Sequence, residues 1–165
     1  MPVLLVSDTT VLIDLKRGGL LTAIFGLPFE FAVPDLLYEP EVRSWDGANL
    51  VELGLKVLSL DATAVEMAQT FRRREPRLSL PDAFAIALAE QGNHVVLAGD
   101  ANLRQQADLE HVEVHGLLWV LDQLEQHRIR GNSDLVIALT QISSHARCRL
   151  PKSEVGKRLE KYRGR

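Results

Sequence analysis

The chain has 165 residues, 46% of them hydrophobic, and carries 19 Lys and Arg against 22 Asp and Glu for a net charge of -3. That length and apolar content suit one domain around one buried core, and exclude a disordered chain or a repeat array. No apolar run approaches membrane-spanning length, and the first strand begins without a basic leader and cleavage site, which predicts a cytoplasmic protein and no membrane partner.

Val3 to Val6 is a short apolar run closed by Ser7-Asp8, and Thr9-Thr10 leads into a helix starting near Val11. Leu20, Leu21, Ile24, Phe25, Leu27 and Phe29 form a dense apolar cluster, and Trp45 comes later; such residues are usually core. Glu30 to Val33 reads as a second strand before Pro34-Asp35, with Glu39 in the first turn of the helical segment that follows. Val57 to Leu60 is a third strand, and Ala62 to Arg74 has the three- and four-residue apolar spacing of a helix. Ser79-Leu80-Pro81-Asp82 has capping-box spacing at the head of a helix over Leu80 to Gln91. His94 to Ala98 is a fourth strand before Gly99-Asp100, and Val112 to His115 a fifth, with a helix predicted over Leu117 to His127. This alternation predicts an α/β fold: a parallel sheet of about five strands covered on both faces. Residues 1–127 read as the globular domain. Residues 128–165 read as a basic helical C-terminal extension, ordered in part, with a break at Gly131-Asn132-Ser133, a helix Asp134 to Ser144 and an amphipathic segment opened by Pro151.

The charge is unevenly placed. From Arg128 onward there are ten Lys and Arg against three acids, a net of +7, which leaves -10 for the rest of the chain. Such an asymmetry predicts a segment that meets an anionic partner, nucleic acid or an acidic protein surface, although a solvated extension balancing an acidic body explains it equally well.

Four acids, Asp8, Glu39, Asp82 and Asp100, fall where a strand ends or a helix begins. Each alone reads as a helix cap or a favourable charge at a dipole. Gathered at the carboxyl edge of one sheet they would repel one another unless a cation compensates. Carboxylate oxygens suit Mg2+ or Mn2+ and need no softer ligands. The remaining chemistry is sparse. The five histidines lack zinc-site spacing, with His115 reading as a surface or edge residue, and Cys148 is alone. Phosphate-binding and dinucleotide glycine loops are absent, as is a nucleophile elbow. Metal-assisted hydrolysis is what remains.

The segments VSDTTVLIDL, VPDLLYEPEV, LSLPDAFAIALAEQ and VVLAGDANLRQQA, in that order, resemble those of PIN-domain ribonucleases, in particular VapC-type toxins of toxin-antitoxin pairs. The likeness covers about residues 1–127. It implies a three-layer α/β/α fold, an acidic pocket that binds Mg2+ or Mn2+, RNA cleavage, a homodimer and a cognate antitoxin as partner. Carried over by position, the family's acids fall on Asp8, Glu39, Asp82 and Asp100, with Asp8, Asp82 and Asp100 as metal ligands and Glu39 as ligand or water-orienting base. Pro40 departs from the family's regular helix, so Glu41 is a rival for the second acid. Ser7, Thr9 and Asn102 are candidates for supporting these ligands. An acidic pocket needs cations elsewhere to grip RNA, and Arg72, Arg73, Arg74, Arg77 and Arg104 are the candidates; the run Arg72 to Arg74 also reads as cations at a helix C-terminus. Two other readings stand beside this one. One is a binding module that kept the fold and lost the metal. The other is an aspartate-based phosphatase, which would want a second aspartate where Thr10 stands.

Overall fold

The computed structural model describes residues 3–45, 47–99 and 101–164. In those residues the strands β1 (Val3–Ser7), β2 (Phe29–Pro34), β3 (Lys56–Leu58), β4 (Val95–Leu97) and β5 (Val114–His115) form one parallel sheet in the order β3-β2-β1-β4-β5. The helices are α1 (Thr9–Arg17), α2 (Asp35–Leu37), α3 (Gly47–Leu53), α4 (Ala62–Arg74), α5 (Leu80–Gly92), α6 (Ala101–Leu109), α7 (Leu117–Gln126), α8 (Asn132–Ser144) and α9 (Lys152–Tyr162). The expected three-layer α/β/α arrangement is the one observed.

Strand side chains alternate between the two faces of a sheet, and here the alternation separates two cores. Leu5, Phe31, Val33 and Leu97 point into a core shared with α1, α7, α8 and α9. Val6, Val96 and Ala98 point the other way, against Ala64, Ala68 and Phe71 of α4, Ala85 and Ile86 of α5, and Leu103 of α6. Helix α5 is rich in buried alanines, and the small side chains let it lie close on the sheet and on α4. The early apolar cluster is core: Leu20, Leu21, Ile24 and Leu27 are buried, with Phe25 and Phe29 partly covered against them.

Several strands are shorter than the apolar runs predict, because helix-terminating turns take the flanking residues. His94 donates its amide to Ala89 O at 2.7 Å after Asn93 adopts a left-handed φ of 54°, so β4 starts one residue late. Val112 likewise closes α6 by donating to Ala107 O at 2.9 Å, after His111 turns with φ 58°. These are helix C-caps in which one left-handed residue lets the last carbonyls find amides. The third strand ends at Leu58, since Ser59 turns its hydroxyl to Asp35 at 3.0 Å and Asp61 caps α4 through Ala64 N.

The C-terminal helices join the same core: Leu135, Ala138, Leu139 and Ile142 of α8, and Val155 and Tyr162 of α9, pack with Leu5 and Phe31. One residue of α7 docks α9. Asp122 accepts from Tyr162 Oη at 2.7 Å, Arg158 Nε at 3.0 Å and Lys161 Nζ at 3.2 Å. Burial, then the Asp122 carboxylate itself, pushes the Tyr162 hydroxyl far above its ordinary value, so it stays protonated and donates. Asp122→Ala should therefore cost about 1–3 kcal/mol by orphaning a buried hydroxyl, while Asp122→Asn, which keeps an acceptor, should cost less. Urea midpoints of the two variants check the order; equal losses would show that α9 is held by its apolar face alone.

Candidate active site

The sheet order creates the crevice. From β1 the chain runs to β2 and β3 on one side, and then crosses to β4 on the other side of β1. Connections that leave neighbouring strands in opposite directions open a gap beyond their carboxyl ends, and ligands of open α/β sheets bind there. Asp8 follows β1 and Gly99 follows β4, so both lie at this gap.

Asp8 is 2% exposed and spans the gap. Its Oδ1 accepts from Val11 N at 2.9 Å, which caps α1, and its Oδ2 accepts from Gly99 N at 2.8 Å. Its own amide donates to Leu97 O at 2.9 Å. The two amides supply the hydrogen bonds that a buried carboxylate needs. Gly99 is needed for this approach, because a Cβ there would stand 2.6 Å from Thr10 Cγ2.

Asp82 sits in the first turn of α5, placed by Ser79, whose hydroxyl accepts from the Asp82 amide at 3.2 Å, and by Pro81. It lines a cleft of about 1200 Å³ together with Thr10, Gly99 and Ala101. Asp100 lies outside the described residues, but its chain neighbours Gly99 and Ala101 both face this cleft.

The second acid is placed differently from the expectation. Tyr38–Val42 is a π-helical turn, with the Arg43 amide reaching back to Tyr38 O. Pro40 lacks an amide hydrogen and its ring crowds the preceding turn, and a widened turn relieves both. The consequence is that Glu39 points outward and pairs with Arg43 at 2.9 Å. Glu41 turns inward and accepts a hydrogen bond from Thr9 Oγ1, next to Asp8. The fold thus joins Glu41, and not Glu39, to the Asp8 segment.

The supporting residues also differ. Ser7 is buried but donates to the backbone carbonyl of Asp8 at 2.9 Å rather than to its carboxylate. Thr9 serves Glu41. Asn102 lines a separate hollow with Arg74, Glu75 and Gln106, away from the cleft. Of the candidate RNA-binding arginines, Arg77 and Arg104 line the cleft, Arg77 already paired with Glu75 at 2.9 and 3.1 Å; Arg72 donates to Leu78 O at 3.2 Å, Arg73 to Thr70 at 3.0 Å and Arg74 to Glu110 at 2.7 Å. Among the described residues no three Asp, Glu, His or Cys side chains form a preassembled metal cage. Asp8, Asp82 and Glu41 each offer carboxylate oxygen, the donor type that Mg2+ or Mn2+ takes, and one or two carboxylates with water commonly hold such an ion.

Sequence reasoning missed part of the cleft wall. His115 lies on the edge strand β5, as the reading of a surface or edge residue expects, and it also stacks on Trp119 with centroids 4.2 Å apart and planes 8° from parallel, both rings lining the cleft. Arg17, Arg147, Arg149 and Arg158 also face it. The positive charge of the tail was the legible signal for three of these; its position over the sheet edge was not. Asp14 lies on the same wall, buried, and burial pushes its carboxyl above the ordinary value of 3.8 although Arg17 at 3.4 Å opposes the shift.

A family model described as DUF3368, PIN domain, matches residues 4–163. Among solved structures the chain is similar to a PilT N-terminus domain protein from the hyperthermophilic archaeon Sulfolobus solfataricus, at 16% identity and a TM-score of 0.51, covering 74% of this chain and 94% of that one. No curated protein matches.

Two outcomes follow from the geometry. Gly99→Ala should cost about 1–3 kcal/mol through the clash with Thr10, and Thr10→Ser, which removes the clashing methyl, should restore part of the loss in the double variant; strictly additive midpoints would refute the close approach. Because the folded-state value of Asp14 is raised, its favourable contribution is complete below about pH 4 and is lost as pH rises through the folded value. Asp14→Asn should therefore gain on wild type in denaturant midpoint more at pH 7.5 than at pH 4, and a pH-independent difference would show that burial does not perturb this group.

Proposed function

The chain belongs to the PIN-domain family, whose members are generally nucleases that use divalent metal ions, and from that premise we propose that it is an endoribonuclease dependent on Mg2+ or Mn2+. The observation that carries the reading is the Asp8–Gly99 bridge at the carboxyl ends of β1 and β4, which ties one buried carboxylate to a cleft that Gly99 lines together with Asp82. Asp8, Asp82 and Asp100 would hold the cation, with Glu41 in place of Glu39 as the fourth acid, since Glu41 is the one tied to Thr9.

A bound divalent cation supplies charge neutralisation at the attacked phosphate and acidifies its bound water. The protein's own contribution is positional. Asp8 is fixed by two amides and by the stiff end of β1, so its carboxylate needs no reorganisation on substrate binding. Asp82 is fixed at a helix start whose proline and serine cap restrict its backbone. Glu41 is suited to accept a proton from the attacking water, with the Thr9 hydroxyl orienting it. In-line attack would expel the 3'-oxygen and leave 5'-phosphate and 3'-hydroxyl ends. Arg104, which lines the same cleft, would meet the substrate backbone, with Arg77 joining it on exchanging its Glu75 partner for phosphate. The same reading extends to a toxin held by an antitoxin and acting as a homodimer, on the strength of the VapC-type resemblance.

Purified protein should cut RNA in Mn2+ or Mg2+ and stop in EDTA. Asp82→Asn should lose roughly 10²–10³-fold, the scale of removing one preorganised electrostatic group. Glu41→Gln should fall comparably, whereas Glu39→Gln should retain activity. Cutting that survives Asp82→Asn would place the nuclease elsewhere or in a contaminant, and loss on Glu39→Gln alone would return the second acid to that position.

A further inference from the structure

Helix α1 turns one face to the cleft. Thr10, Ile13, Asp14 and Arg17 have the spacing of residues that neighbouring turns of a helix bring to one side, and all four line the cleft. Asp8 caps the start of this helix, and at a rise of ~1.5 Å per residue Asp14 stands roughly 9 Å further along its axis. Asp14 is the unusual member of the stripe. It is 6% exposed, yet its carboxylate has a single hydrogen-bond partner among the described residues, Arg17 Nη1, at the long distance of 3.4 Å. A carboxylate removed from water is costly unless donors reach it. A long i,i+3 pair does not offset that cost, and burial holds the carboxyl above its ordinary value in spite of Arg17. The helix start is already served by Asp8, so Asp14 presents unused acceptor capacity to the cleft.

We propose that Asp14, together with Arg17, selects the base in this cleft and takes an unpaired guanine. An ionised carboxylate only accepts hydrogen bonds, and it accepts two parallel ones well. Guanine is the RNA base whose Watson–Crick edge presents two adjacent N–H groups, at N1 and on the N2 amino group. Adenine and cytosine offer one amino group each, and uracil a single ring N–H. Guanine O6 lies next to N1 and is an acceptor, so a guanidinium beside the carboxylate completes the match. These edges are open to a side chain only where the strand is unpaired. The inference rests on the nuclease reading for a substrate that brings bases to the cleft, and it adds the base preferred and the residue that selects it.

The test compares, by fluorescence anisotropy with the full chain in EDTA, a labelled 2'-O-methyl oligouridine with the same strand carrying one central guanine, inosine, adenine or cytosine. These strands resist cleavage, so the readout is independent of turnover. The guanine strand should bind about tenfold more tightly than oligouridine, the scale of one bidentate contact to a base edge. Inosine, which lacks the N2 amino group, should lose most of that gain. Asp14→Asn should bring the guanine strand down to the affinity of oligouridine, because an amide offers one acceptor and sets its own N–H groups against those of guanine. A residue that only supported the fold would weaken all strands alike. Equal affinity for the guanine and adenine strands, a preference for adenine or cytosine, an Asp14→Asn variant that keeps the guanine preference, or no binding of any strand would each overturn the assignment. Cutting of unmodified RNA in Mn2+ alongside any of these would leave the nuclease standing, whereas guanine-selective binding without any cutting would sink the nuclease and keep the role of Asp14.

Discussion

One buried carboxylate sets the geometry of the sheet edge. Asp8 accepts the first free amide of α1 with one oxygen and the Gly99 amide with the other, while its own amide bonds to the end of β4. A carboxylate removed from water is costly unless it is hydrogen-bonded, and here both oxygens are served by backbone groups that belong to different parts of the chain. The helix start, the strand end and the loop before Asp100 are therefore placed by the same group, and Gly99 has no Cβ because Thr10 occupies that space.

That bridge has its value because of the sheet order. With β1 between β2 and β4, the chain reverses its direction of travel across the sheet at the β1–β4 boundary, and the opening lies where Asp8 stands. The remaining parts of the cleft come from distant segments: Asp82 from the first turn of α5, Arg104 from α6, His115 and Trp119 from β5 and α7, Arg147 and Arg149 from the connection before α9. Asp14, Asp82 and Glu154 line the cleft together with six arginines, drawn from both the body and the tail of the chain.

The C-terminal helices bear directly on this surface. Their apolar residues join the core on the α1 face of the sheet, and Asp122 fixes α9 through three donors. The connection between α8 and α9 is thereby held over the cleft, so its arginines are presented from a defined position rather than from a loose extension. No helix among the described residues is long and apolar enough to cross a membrane.

Local patterns in the chain were enough to determine the elements and their type. Apolar runs ending in Asp or Gly marked the strands, Ser79 and Asp61 marked helix starts, and the alternation of strands with helices required a parallel sheet, because each of these rests on contacts within a few residues. The resemblance of four ordered segments supplied the family and a list of acids. Tertiary structure alone decided the rest. That Glu41 and not Glu39 reaches Thr9, 32 residues away, depends on how Pro40 widens one turn. Which arginines face the cleft depends on the strand order and on the docking of α9, and the stacking of His115 on Trp119 depends on how α7 leaves β5. Those are long-range relations, and a side chain's partner across the fold leaves no periodic trace in the sequence that carries it.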